Sequence, residues 1–322
     1  MAASKTLIAL DVGLSKPIRG LPMSDIISRG EILRFSLDDS NEPTQPSLLL
    51  SDTPQVALPD GVVYSKKKDL LYYTNMGVPP LNDGSVYSLC PDGSDLQVVL
   101  SKGQIHTPKQ LALDDTNDKL YISDREGLRV LRCNLDGSEL EVLIENGDFH
   151  DAAVNRDQTR WCVGITVSPR RGLFYWTQKG PSKSNTGRIF CASIEGSGLR
   201  QRTLLLQNLP EPIDLEIDEA TNTLYWTDRG ELPYGNTFNR VKLEESGTRI
   251  DSGGFVPTPG FQHEIIVQNF KEAIGLCHDK DNKRWYVADM GGTIWFFDED
   301  GGDKVSVFSD ESRSFTGIVL VS

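Results

Sequence analysis

Tyr225-Trp226-Thr227-Asp228 is the stretch that decides how this chain folds, because weakened copies of it recur along the sequence. The relatives are Tyr72-Tyr73-Thr74-Asn75, Tyr121-Ile122-Ser123-Asp124, Tyr175-Trp176-Thr177-Gln178 and Tyr286-Val287-Ala288-Asp289. The last residues of the five, taken in chain order, lie 49, 54, 50 and 61 positions apart. Each copy stands in the same context. An apolar strand precedes it, and a glycine-containing loop, an alternating strand, an Asp-Gly-Ser-like turn and a fourth strand follow. Around the second copy these run from Gln110 to Leu113, Leu120 to Asp124, Arg129 to Asn134 and Leu140 to Ile144, with the turn at Asp136-Gly137-Ser138 suited to positive φ.

Four short antiparallel strands repeated every roughly 40 to 60 residues signal a β-propeller with one blade per repeat. First strands begin after small or turn residues at Asp60-Gly61, Lys109-Gln110, Val163-Gly164, Ile213-Asp214, Ile274-Gly275 and Thr316-Gly317, which predicts six blades. The sixth has only its first strand near Ser322. Leu7 to Asp11 imitates the tyrosine strand, Gly30 to Asp38 the third strand and Ser47 to Ser51 the fourth, so the N-terminal segment completes that blade in a 3+1 closure. Pairing the two ends removes the sheet edges an open array would expose. The expectation is an all-β, six-bladed propeller in a single domain over 1–322. Its blades are 59–101 (blade 1), 108–146 (2), 162–208 (3), 212–269 (4), 273–310 (5) and 5–52 plus 315–322 (6).

Composition adds exclusions. A formal net charge of −13 argues against nucleic acid or an anionic membrane as partner, since both require a basic surface. Met1 to Gly20 has no apolar run suited to a signal peptide, and no segment reaches the roughly 18 apolar residues of a membrane span. The expected setting is cytoplasmic, as a monomer or weak homo-oligomer. Five cysteines, Cys90, Cys133, Cys162, Cys191 and Cys277, fall on predicted strands without metal-type spacing, which fits reduced thiols in the core.

The repeated tetrapeptide resembles the YWTD, or low-density-lipoprotein-receptor class B, six-bladed propeller, and the resemblance covers nearly the whole chain. The receptors' flanking cysteine-rich modules are missing, so receptor binding is not carried over. The loops after Asn75, Gln178 and Asp228 are long, and in this the chain is similar to stand-alone intracellular YWTD-like proteins of fungi and bacteria. Some fungal proteins of that kind act in secondary-metabolite pathways, as cofactor-free hetero-Diels–Alder cyclases of tropolone sesquiterpenoids. The resemblance therefore implies an apolar small-molecule substrate and no cofactor.

Blade geometry indicates where a site would lie. Loops joining fourth to first strands and second to third strands emerge on one face, together with the tyrosine-strand ends Asp11, Asn75, Asp124, Gln178, Asp228 and Asp289. That face also collects the insertions 12–29, 76–84, 146–161, 179–187 and 229–239, and long loops on a rigid scaffold concentrate function. The insertion 244–262 falls on the opposite face. His106 and His150 lie on the loop-rich face and suit proton transfer or hydrogen bonding, whereas His263 and His278 lie opposite. Arg125, Arg229 and Lys179 follow strand ends and could meet an anionic oxygen. Polar residues at the first strands, Asp60, Lys109, Asp214, Glu272 and Thr316, are expected to point toward the axis.

Three functions are open on these residues. In the first, His106, His150, Lys109 or Arg229 polarises a carbonyl, while Asn75, Met76, Gln178, Lys179, Asp214 and Thr316 line a pocket walled by Trp161, Tyr234 and Phe315. Cycloaddition there needs orientation more than proton transfer. In the second, Asp60 and Asp214 hold a divalent cation for a lactonase, although the ligand pattern is incomplete and no metal is expected. The third is a protein-interaction scaffold. The strand-end aspartates themselves are expected to bond loop amides, and Tyr175, Trp176, Tyr225 and Trp226 to pack between blades.

Overall fold

The computed structural model describes residues 5–15, 20, 22–37 and 45–321. Asp38, at the end of the expected third N-terminal strand, lies outside them, as do residues 16–19 and 21 of the 12–29 loop. The fold is all-β, with six four-stranded antiparallel blades. Two compact units hold them, one formed by 1–108 with 274–322 and the other by 109–273.

In the first unit, blade 6 is assembled from both ends of the chain in the order Phe315–Val321, Thr6–Asp11, Glu31–Ser36 and Ser47–Ser51. Ala9 pairs with Ile318 and Asp11 with Phe315, so the 3+1 closure is present. Blade 1 runs Pro59–Ser65, Leu70–Asn75, Gly84–Leu89 and Gln97–Ile105. Blade 5 runs Ala273–Asp279, Arg284–Asp289, Thr293–Asp298 and Val305–Ser309.

The second unit contains the other three. Blade 2 is Pro108–Asp114, Lys119–Asp124, Arg129–Asn134 and Glu141–Glu145. Blade 3 is Cys162–Ser168, Leu173–Gln178, Gly187–Ser193 and Thr203–Leu209. Blade 4 is Pro212–Asp218, Thr223–Asp228, Thr237–Lys242 and Glu264–Val267.

The core lies between consecutive blades because side chains alternate along each strand. Phe174 and Trp176 join the layer shared with blade 2, while Tyr175 between them joins the layer shared with blade 4. Trp226 fills the blade 3–4 layer, and matching layers separate blades 5 and 6 and blades 6 and 1. With both faces covered, the tyrosine strand is apolar nearly throughout, and each large side chain contributes about 1.5–3 kcal/mol of burial. All five cysteines are free thiols. Burial pushes Cys133, Cys162 and Cys191 up to about 12, so they behave as small apolar residues.

The motif's third residue has a defined job. The first strand of blade 3 bulges between Cys162 and Ile165, which opens the ladder at Gly164. Thr177 fills the gap: its Oγ1 accepts the Gly164 amide at 2.7 Å and donates to the Ile213 carbonyl of blade 4 at 2.8 Å. Thr74 accepts the Gly61 amide at 2.8 Å in the same way, and Ser123 donates to the Gly164 carbonyl at 3.1 Å. Adjacent first strands approach so closely that a Cβ at Gly164 would collide with the Ile213 carbonyl. Glycine recurs there because backbone occupies the space.

His263 is nearly fully buried, edge-on to Trp226 at 4.9 Å, with its Nδ1 unpartnered. Burial pushes its pKa down to about 4. The folded state therefore holds it neutral, and its contribution is complete above the unfolded value of about 6.5 and is lost as pH falls from there through about 4. That difference corresponds to about 3 kcal/mol. Melting curves at pH 7 and pH 4 should show a drop that is shallower in His263→Phe. An identical drop would show that His263 does not set this acid sensitivity.

Candidate functional site

The strand-end carboxylates hold loops. Asp228 accepts the Glu211 amide on both oxygens at 3.0 Å and the Gly230 amide on Oδ1 at 2.9 Å. Burial pushes its pKa up to about 7 while these amides oppose the rise. Asp289 accepts the Thr293 amide at 3.1 Å and the Trp295 indole at 2.8 Å. Asp124 pairs with Arg129 at 2.8 Å, and Asp11 with Arg313 at 3.0 Å.

The residues after the strand ends in blades 3 and 4 form one network. Glu211 Oε1 receives Lys179 Nζ at 2.7 Å and Arg229 Nε at 2.9 Å, and Arg229 Nη1 also lies 3.7 Å from Glu272. Lys179 and Glu211 are nearly fully buried. Burial disfavours the Glu211 carboxylate, but Arg229 and Lys179 overcome it and hold its pKa below the usual value; burial pushes Lys179 down. Arg229 and Lys179 thus spend their charge on Glu211, which sequence reasoning passed over because Glu211 follows a proline outside the repeat motif.

The other expected site residues each meet different local partners. His106 is buried in the first unit, its Nδ1 2.9 Å from Thr107 Oγ1. In the second unit, Lys109 is half-buried on its strand and His150 is exposed, with its ring against Phe149 at 4.1 Å. Asp214 is half-buried and its Oδ1 accepts the Leu215 amide at 2.9 Å. Trp161 donates its indole N–H to the Asn155 carbonyl at 2.9 Å, with the Arg125 guanidinium 4.9 Å over its ring. Tyr234 is exposed and edge-on to Phe261 at 4.9 Å.

Phe315 forms no pocket wall: its strand turns it inward, fully buried beside Phe35 and Phe308. Met76 packs with Val12 and Leu58 in a small apolar cluster. Thr316 donates to the Pro59 carbonyl at 2.9 Å, bridging blades 6 and 1.

Asn75 does meet a cleft. In the first unit, a space of about 280 Å³ opens between the short helix Met23–Ile27, the strap before blade 1 and the loop after Asn75. Ile27, Pro54 and Ala57 give apolar walls, and Asp83 and Lys102 stand 3.7 Å apart at the side. Asn75 Nδ2 donates to the Pro54 carbonyl at 3.0 Å, which leaves the buried Oδ1 with no donor. Ile27 and Lys102 escaped the sequence reading because neither belongs to the tyrosine-strand motif that directed it.

Blades of four antiparallel strands, stapled by the threonine hydroxyl of the repeated tyrosine strand, define a six-bladed YWTD-type β-propeller. A chain of the nidogen/laminin complex has the same fold, with a TM-score of 0.69 and 17% identity over 98% of both chains. Low-density lipoprotein receptor-related protein 1 of Pyricularia oryzae is 41% identical over 82% of this chain and 85% of its own length. The chain belongs to that low-density-lipoprotein-receptor-related, YWTD-containing family. It is also similar to the 3-hydroxyacyl-CoA dehydrogenase-like protein LAM1 of Cochliobolus heterostrophus, at 42% identity over 98% of this chain, but spans only 64% of that relative. No protein-family model matches the chain.

Proposed function

We propose that this protein is a cofactor-independent enzyme of secondary metabolism that binds an apolar small molecule in the Asn75 cleft. The observations that carry this reading are that Asn75 lines a partly apolar space and that its buried Oδ1 has no donor. Such a combination suits a ligand with an apolar body and one hydroxyl or N–H, since a buried acceptor left unpaired costs about 1–3 kcal/mol. Lys102 supplies a donor for a second oxygen. With these two anchors the site orients its ligand, which is what a hetero-Diels–Alder cyclisation requires.

The resemblance of the repeat and its loops to stand-alone fungal YWTD-like proteins points the same way.

Calorimetric titration with tropolone, an apolar ring bearing a hydroxyl and a carbonyl, tests the site. Saturable binding is expected, weakened about tenfold or more in Asn75→Ala, in line with one lost buried hydrogen bond. No saturable binding, or equal binding by the variant, removes the proposal.

A further inference from the structure

The second unit contains a cavity of opposite character. A space of about 180 Å³ lies at the end of the blade 3 tyrosine strand, with Arg160, Arg188 and Arg202 around it and Asp157 as the sole carboxylate in its wall. That leaves two positive charges in excess in a chain whose formal net charge is −13. Asp157 is already engaged, since Arg160 Nε lies 2.9 Å from it.

The other two guanidiniums meet no carboxylate within ion-pair distance among the described residues. Arg188 donates through Nη2 to the Thr159 carbonyl at 2.5 Å, and Arg202 through Nη1 to Asn146 Oδ1 at 2.6 Å. A guanidinium has five N–H donors, so most of both forks is unused. Both stand over the Phe190 ring, 5.3 and 5.5 Å from its centroid, which fixes two like charges beside one another. Burial and then the repulsion of Arg202 push the Arg188 pKa down.

A separate group points to the same kind of ligand. Gln178 is 1% exposed and lines the cavity, yet its Nε2 has no conventional acceptor. The Cys162 thiol beside it is only a weak one. A second space of about 270 Å³ shares Thr159 and Arg188 with the first and is walled further by Thr186, Gln207 and Asn208. The second space offers hydrogen-bonding groups to whatever extends from the first.

We infer that this cavity is an anion site, binding the phosphate or carboxylate group of a polar small molecule through the forks of Arg188 and Arg202, with the Gln178 amide as a further donor. Arginine forks match both groups in bidentate geometry, and an anion between them replaces repulsion by charge-assisted hydrogen bonds. The site shares no lining residue with the Asn75 cleft and stands or falls without it.

Titration of the intact protein with inorganic phosphate and with citrate, against sodium chloride at matched ionic strength, tests the inference by calorimetry and thermal shift. Saturable binding of either anion beyond chloride is expected: stronger phosphate binding assigns a phosphoryl group, stronger citrate binding a carboxylate. Arg188→Gln should weaken it about tenfold or more, and Arg202→Lys, which keeps the charge but loses the fork, should weaken it less. Melting temperatures of Arg188→Gln and Arg202→Gln without added anion, compared with the parent, separate lost binding from lost folding. If both anions behave like chloride, or Arg188→Gln binds as tightly as the parent, the site does not exist.

Discussion

Replacing Glu211 by glutamine is expected to destabilise the protein by about 3–5 kcal/mol, the cost typical of breaking a buried ion pair by removing one partner. Glu211 Oε1 is the shared acceptor of Lys179 and Arg229 at 2.7 and 2.9 Å, and both Lys179 and Glu211 are nearly fully buried. Glutamine keeps an acceptor oxygen but not the charge, so the buried Lys179 ammonium is left with neutral partners, the Gly180 carbonyl at 3.2 Å among them. Arg229 loses less, because it is half-buried and also approaches Glu272.

The damage should be recovered in large part by Lys179→Met on top of Glu211→Gln, which removes the orphaned charge. Buried ion pairs are often replaceable by neutral groups, whereas a single unpaired charge is not tolerated. Urea unfolding of the two single variants and the double variant gives the coupling. A loss below about 1 kcal/mol for Glu211→Gln would place the pair among ordinary surface salt bridges.

Thr177→Val should be nearly as severe, at about 2–5 kcal/mol, although it alters neither size nor shape appreciably. The hydroxyl serves the Gly164 amide and the Ile213 carbonyl simultaneously, and each buried group left unpaired costs about 1–3 kcal/mol. Thr177→Ser retains the hydroxyl and should be milder, losing only a buried methyl. Equal losses for valine and serine would show that packing of the methyl, and not stapling of blade 3 to blade 4, is what the residue contributes.

These two expectations also show how much of the molecule was legible in the sequence. The repeat spacing exposed the blades because each tyrosine strand is buried on both faces and must be apolar nearly throughout, as Tyr175 and Trp176 are. The 3+1 closure followed from Leu7–Asp11 carrying the same pattern. Loop-holding roles for Asp228 and Asp289 were readable from their fixed place at strand ends.

The site was much less legible. A strand's period of two tells which residues leave a face, but not which loop atoms come to meet them. Phe315 was expected at a wall because it precedes a first strand, whereas its side chain turns into the blade 5–6 core. Glu211, Ile27 and the Arg188 and Arg202 pair lie outside the motif: Arg188 comes beside Gln178 through strand pairing, and Glu211 sits in the short link between blades 3 and 4. Gln178 and Asn75, by contrast, could be named as candidates from the sequence because the strand-end position is set by the repeat.

If the motif residues hold the blades and, as proposed, the cleft at Asn75 receives the ligand, a crystal structure of the protein soaked with tropolone should show density between Ile27, Pro54 and Ala57, with a ligand hydroxyl within hydrogen-bond distance of Asn75 Oδ1. Tropolone ordered elsewhere with that cleft filled only by solvent would contradict it.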